Sequence, residues 1–328
     1  MRLVMMGTGT FAEPTLEALL HSSHQVVGLV TQPDRAVGAE RGSTRQTGKG
    51  MKTIAQEKGV PIYQPESINT PEGVAQLQAW SPDLLVVAAY GQILKPDVLA
   101  AAKHGGINVH ASLLPKYRGA APIAWAIYQG ETQTGVTIIQ MTPQLDAGGM
   151  IGQVTVDIGA EETSGELEVR LAPLGAKLAL ESIEQIIAGT AKPMQQDKGQ
   201  VTKAPKLKKE DGIIDWTRPA EQVCRQIRAM QPWPTAYTLL HRQGKEPVRI
   251  IVNRAVPLPT PEIVGWEAPT GAISVADGKN LKLVVWCGGS TQVEVLELQP
   301  AGKRRMAAVE FLRGSPPREG DRFGPEAS

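Results

Sequence analysis

Three side chains in this sequence are suited to moving protons and to holding a transient negative charge. Asn108 and His110 stand two residues apart in GGINVHASLLPKYRGAAP (105–122), and Asp146 stands in MTPQLDAGGM (141–150). Residues i and i+2 of a strand face the same side, so Asn108 and His110 point together. An Asn amide N–H can donate to an oxyanion, and one such donor is worth roughly 2.7–4 kcal/mol in a transition state. A His, with an unperturbed pKa of about 6.5, can move protons near neutrality. A carboxylate beside it would fix its tautomer and favour its charged form, and Asp146 is the candidate. No Ser, Cys or Lys stands where a covalent nucleophile is implied. Ser112, just past His110, lacks the strand-elbow setting of a G-x-S-x-G serine. The set suits direct attack by an amine on an activated acyl group through a tetrahedral oxyanion.

These groups need elements that bring them together. RLVMMG (2–7) reads as a buried strand, GTGTFA (7–12) as a glycine turn, and Pro14, Leu16, Leu19 and Leu20 as a helix. QVVGLVT (25–31) is a second strand, completing a βαβ unit. Gly7, Gly9 and Ala12 fit the dinucleotide fingerprint G-x-G-x-x-G/A, with Asp34 as its acid. That pattern keeps open an NAD-dependent oxidoreductase, which would leave Asn108, His110 and Asp146 without roles. The alternative reading is a tight turn with close helix packing, since Asp34 falls beyond the second strand in a Gln-Pro-Asp turn. Helices are expected over 51–58, 71–79, 96–102 and 121–129, with a short strand at 60–63. PDLLVVAAYG (82–91) is a strand buried on both faces. The alternation predicts an α/β fold, with a Rossmann-like, doubly wound, mostly parallel sheet. Asn108 and His110 then fall near the carboxyl edge, where such sheets bind ligands.

Composition changes between Lys192 and Asp211, where KPMQQDKGQVTKAPKLKKEDG is polar and lysine-rich. The expected division is a catalytic domain over 1–191, a basic linker over 192–211, a second domain over 212–314 and a frayed tail over 315–328. Short apolar runs after one helix suggest a smaller OB-like β-barrel for the second domain. Lys and Arg outnumber Asp and Glu after residue 200, and the reverse holds before it. That asymmetry is compatible with a polyanionic partner. The loop over 32–50 is long, glycine-rich and basic, and Arg35, Arg41, Arg45 and Lys49 could track phosphates. Cys224 and Cys287 have no partners at metal-ligand spacing and read as free thiols in a reducing compartment. No apolar run approaches a membrane helix, and MRLVMMG has no leader character. A cytoplasmic protein is expected.

INVHASLLPKYRGAAPI (107–123) and GVTIIQMTPQLDAGGMI (135–151) resemble the 10-formyltetrahydrofolate-dependent formyltransferases. So do TQPDR (31–35), VVAAYGQIL (86–94), IDW (214–216), PWP (232–234) and LQPAGKRRM (298–306). The resemblance implies that Asn108, His110 and Asp146 are catalytic and that no metal takes part. It implies 10-formyltetrahydrofolate as co-substrate, held by Ser112, Leu113, Leu114 and Pro115, with Tyr90, Gly91 and Ile93 near the pterin. RGAAPI and the second domain imply that the acceptor is the methionine amine of initiator Met-tRNA, in translation initiation. The acting species is expected to be a monomer. The loop after TQPDR is implied to reach the tRNA acceptor end. Its family ending, Pro-x-Pro-Val-Lys, is replaced here by GSTRQTGKGMK. The family's linker lysines match Lys206 and Lys209. A formyltransferase acting on another amine, such as a nucleotide amino sugar, is the nearest competing reading, followed by a formyl-folate hydrolase. Leu114-Pro115, in a tight turn at a ligand site, is a candidate cis bond. Arg118 to Pro122 are expected to open the next helix beside the amine substrate.

Overall fold

The computed structural model describes residues 1–34, 49–259, 269–276 and 281–325. They form two compact units. The first comprises Met1–Ala126, Thr132–Gly159 and Gly165–Lys206, and the second Ile127–Glu131, Ala160–Ser164 and Leu207–Ser328.

In the first unit, strand β1 (Arg2–Gly7) is buried after its first residue. Helix α1 (Glu13–His21) has a proline and Glu13 in its first turn. Both suit a helix start, where amide N–H groups lack partners and negative charge is favoured. β2 (Gln25–Val30), α2 (Met51–Glu57), β3 (Ile62–Tyr63) and α3 (Pro71–Trp80) follow. β4 (Leu84–Ala88) is buried at every position, as a strand covered on both faces must be. Then come α4 (Pro96–Ala100), β5 (Gly106–His110), β6 (Arg118–Gly119) and α5 (Pro122–Gln129), whose residues from Ile127 on are counted with the second unit. β7 (Gln133–Gln140), β8 (Met150–Asp157), α6 (Ser164–Ile187) and β9 (Lys203–Ala204) complete it.

Seven strands form one sheet in the order β3-β2-β1-β4-β5-β7-β8. The strands from β3 to β5 in that order run parallel. β7 and β8 run antiparallel to their neighbours. The chain winds outward from β1 to β3, then crosses to β4 on the other side of β1. This reversal is the switch point beyond which open α/β sheets bind ligands. Asn108 sits next along from it, paired with Val87 of β4 and Ile139 of β7.

Packing explains the apparent dinucleotide fingerprint. A Cβ on Gly7 would lie 2.8 Å from both the Ala12 Cβ and the Ala88 oxygen. The glycine therefore allows α1 and β4 to close on the end of β1. Asp34 is exposed and bonded by Lys52 and Gln64. The Lys52 hydrogen bond holds its carboxyl below the usual range.

Two expectations about the chain's organisation change. Residues 192–206 belong to the first unit. Met194 bridges Met150, and β9 pairs in parallel with β6. Arg118 and Gly119 are thus a strand, and the helix opens only at Pro122.

The second unit holds α7 (Ala220–Ala229), β10 (Tyr237–Arg242), β11 (Lys245–Leu258) and β12 (Ile273–Ala276). β13 (Lys282–Trp286), β14 (Gln292–Pro300), β15 (Met306–Ala307), α8 (Ala308–Gly314) and β16 (Arg322–Gly324) follow. Its antiparallel sheet has the order β12-β13-β14-β11-β10-β16. An Ala272–Arg322 bridge joins the two ends into a nearly closed barrel. The segment after Ser315, expected to fray, supplies β16. Arg242 holds it through Asp321, at 3.2 Å, and through the Ser315 hydroxyl, at 2.8 Å. Phe323 stacks on Trp216 with ring centroids 5.7 Å apart.

Candidate active site

Asn108 and His110 share one face of β5, and both reach Asp146. The Asn108 amide donates to Asp146 Oδ1 at 3.3 Å. His110 Nδ1 lies 3.6 Å from Asp146 Oδ2, with both side chains at least nine-tenths buried. The Gly119 N–H donates to the same Oδ2 at 2.8 Å. The carboxylate is thus addressed by a side chain of β5, the backbone of β6 and an imidazole.

The tautomer of His110 is set elsewhere than expected. Nε2 lies 2.9 Å from the Tyr117 carbonyl oxygen, an acceptor, so Nε2 carries a proton. Asp146 stands beyond hydrogen-bond distance of Nδ1, the nitrogen left to exchange a proton. Tyr117 takes a positive φ of 62° to aim its carbonyl. Its N–H is held by Thr202 Oγ1 at 2.8 Å, and the Arg118 N–H by the Thr202 carbonyl at 2.9 Å. Asp146 also has a positive φ, 48°, a conformation that Asp tolerates better than most residues. Its loop passes close to the end of β7, because a Cβ on Gly148 would lie 1.6 Å from the Gln140 oxygen.

The turn after β5 is fixed by hydrogen bonds. Thr137 Oγ1 donates to the Ser112 carbonyl at 2.6 Å and accepts from the Leu114 N–H at 3.1 Å. Gln153 donates to the Leu114 carbonyl at 2.8 Å. The Leu114-Pro115 peptide is cis. The Ser112 hydroxyl is fully buried and donates to the Lys116 carbonyl at 2.7 Å. Leu114 packs with Ile139 and Met150. Of the four residues assigned to the folate in this turn, Leu113 and Pro115 are the two that remain half-buried.

At the end of β4, exposure alternates. Ala89, Gly91 and Ile93 are exposed while Tyr90 and Leu94 are buried. Tyr90 is 2% exposed in an apolar cluster that includes Val87 and Leu94, and burial pushes its phenol up to about 12. Its side chain belongs to the core, and its carbonyl accepts from Gln32 at 3.0 Å. Gly91 has φ 80°, and among the described residues no atom beyond its chain neighbours lies within 4 Å of an added Cβ, so the chain turns there over an open edge.

Among the cations assigned to RNA, Arg35, Arg41 and Arg45 lie outside the described residues. Lys49 pairs with Glu57, and its backbone N–H is held by the buried Glu13 at 3.0 Å. Desolvation by burial raises the Glu13 carboxyl despite that bond and a second from Gly50. Lys206 and Lys209 are exposed, and among the described residues neither makes an ion pair.

Gln196, which no sequence motif marks, joins the two segments that hold Asp146 and His110. Its amide donates to the carbonyls of Asp146 and Gly148, both at 2.8 Å. Its oxygen accepts from Arg118 Nε and Nη2 at 3.0 and 2.7 Å.

A switch-point α/β sheet, an Asn-His-Asp convergence at its carboxyl edge and a following barrel define the class. A family model described as formyl transferase matches residues 1–183, and one described as formyl transferase, C-terminal domain, matches residues 206–316. The methionyl-tRNA formyltransferase of Bacillus velezensis is 41% identical over 323 residues, 98% of each chain. That of Geobacillus thermodenitrificans is 43% identical over 313 residues, 95% of this chain and 94% of its own. The chain belongs to the methionyl-tRNA formyltransferase family. A solved N-formyltransferase from Helicobacter canadensis, in complex with folinic acid and dTDP-3-aminofucose, has a TM-score of 0.63 at 16% identity. The match covers 90% of this chain and 98% of that one. This likeness is one of fold.

Proposed function

We propose that the protein transfers the formyl group of 10-formyltetrahydrofolate to the α-amino group of methionine on initiator Met-tRNA. The observation that carries the chemistry is the convergence of Asn108 and His110 on the Asp146 carboxylate. The identity over nearly the full chain supports the choice of acceptor. The amine nitrogen attacks the formyl carbon, and the carbonyl π electrons move onto oxygen. The Asn108 amide stabilises that oxyanion with a preorganised N–H. The oxyanion collapses, the bond from the formyl carbon to N10 breaks, and N10 gains a proton as the amine loses one. His110 Nδ1 carries that proton, because Nε2 is committed to Tyr117. The negative charge of Asp146 stabilises the transient imidazolium.

Leu113, Pro115, Gly91 and Ile93 contact the folate-type donor, with Ser112, Leu114 and Tyr90 supporting that surface from beneath. Arg35, Arg41, Arg45, Lys49, Lys206 and Lys209 contact tRNA phosphates. The enzyme works as a monomer in the cytoplasm. Cys224 and Cys287 are buried free thiols, both pushed up to about 12 by desolvation, and fit a reducing compartment. No helix among the described residues is long and apolar enough to cross a membrane.

The test is incubation of the purified protein with 10-formyltetrahydrofolate and either initiator Met-tRNA or a nucleotide amino sugar. N-formylmethionine released from tRNA is the expected product. Formylation of the sugar alone would reject the assignment.

A further inference from the structure

We propose that Gln196 is a positioning residue for formyl transfer, acting as a brace that aims Asp146 at Asn108 and His110. The inference rests on the formyl-transfer reading of the site. Gln196 is 8% exposed, and among the described residues its side-chain hydrogen bonds all go to the two segments that present the site. One segment is the loop carrying Asp146, whose carbonyl and that of Gly148 share the Gln196 amide. The other is β6, where Arg118 stands between Tyr117 and Gly119. Tyr117 holds His110 through its carbonyl, and Gly119 holds Asp146 through its N–H. The Arg118 guanidinium donates twice to Gln196 Oε1, which leaves the amide N–H2 turned toward the Asp146 loop.

Asp146 needs such support. A non-glycine residue at φ 48° persists where its surroundings over-determine it. Gln196 secures its backbone carbonyl and the Gly119 N–H secures its carboxylate, from opposite ends of the residue. Without Gln196 two carbonyls lose a donor, and Asp146 is free to turn. A shift of about 1 Å at a reacting group can cost about 10²-fold in rate.

The test uses the full-length Gln196→Met protein, which keeps side-chain length and loses the amide. Two readouts are compared with wild type: amide hydrogen exchange at Gly119 in the free protein, and kcat and KM with Met-tRNA. The expected result is faster exchange at Gly119, unchanged exchange in Leu84–Ala88 and a kcat about 10²-fold lower with KM unchanged. Wild-type exchange at Gly119, or wild-type kcat, would overturn the proposal. A uniform rise in exchange with kcat per folded molecule preserved would overturn it too, marking Gln196 as structural only. If Gln196→Met does not fold, Gln196→Glu is read by the same criteria; it keeps a partner for Arg118 but sets a carboxylate oxygen against the two carbonyls. If wild type fails to formylate Met-tRNA, the functional reading falls, and Gly119 exchange alone decides whether Gln196 aims Asp146.

Discussion

The Asp146 carboxylate accepts hydrogen bonds from an amide side chain on one oxygen and a backbone N–H on the other, and faces the edge of an imidazole at 3.6 Å. In Asp146→Asn the amide group cannot satisfy this arrangement either way round. One end would set N–H2 against the Asn108 amide, and the other would set it against the Gly119 N–H. The negative charge beside His110 is lost in both cases. The expected outcome in steady-state kinetics is a kcat lower by about 10²–10⁴-fold with KM for the folate donor unchanged. Turnover near wild type would remove Asp146 from the reaction. Asn108 and His110 were legible in the sequence because a strand's period of two forces N-x-H onto one face, whatever the rest of the chain does. Asp146 was legible through its LDAGG setting. Gln196 was not, because one of several glutamines in a polar lysine-rich run looks solvated. Its partners are 78 residues away at Arg118, and 50 and 48 away at Asp146 and Gly148. No local pattern encodes contacts of that separation. The role of Tyr117 was hidden for a different reason, since a backbone carbonyl leaves no residue-type signature.

At the scale of elements, long buried strands announce themselves by run length, and β1, β2 and β4 were all legible that way. Strand direction is not encoded in such a run, so the antiparallel turn of the sheet at β7 had to be seen. The two-residue strands β6 and β9 and the three-residue β16 are too short for any periodicity. They exist because partners distant in sequence offer free backbone groups, as at Gly119, where an added Cβ would lie 2.3 Å from the Ala204 oxygen. The loop between β7 and β8 is similarly constrained. Gly148→Ala would drive a methyl into the Gln140 backbone oxygen, which cannot rotate away as a side chain could. The loop must shift, carrying Asp146 with it. Calorimetry and kinetics on Gly148→Ala should show a lower Tm and a kcat about 10²-fold lower. If both match wild type, the close approach does not hold the loop in place.

Across the whole molecule, the proposed chemistry and the proposed RNA contacts fall on different kinds of residue. Of the groups proposed as catalytic, His110 and Asp146 are at least nine-tenths buried and Asn108 is half-buried, where salt screens little. The lysines of the basic stretch past residue 200, Lys203, Lys206, Lys208 and Lys209, are exposed, so a polyanion that met them would do so through solvent. Lys206 closes the first unit, and Lys209 lies near the start of the second unit's longest segment, Leu207–Ser328. The two-unit organisation was visible as a change of composition. Its boundary was not, because polar residues such as Gln196 and Thr202 build the first unit's site in a stretch that looks like linker. If Lys206 and Lys209 contact tRNA phosphates, removing them should act on KM for Met-tRNA and leave kcat alone. Each phosphate left without its cation should also reduce the slope of log affinity against log salt by about one. The measurement is kcat and KM for Met-tRNA across a salt series, in wild type and in the Lys206→Ala and Lys209→Ala proteins. Higher KM with a shallower slope is expected for each. An unchanged slope would show that the cation replaced does not meet a phosphate, and a fall in kcat would tie it to the chemistry instead.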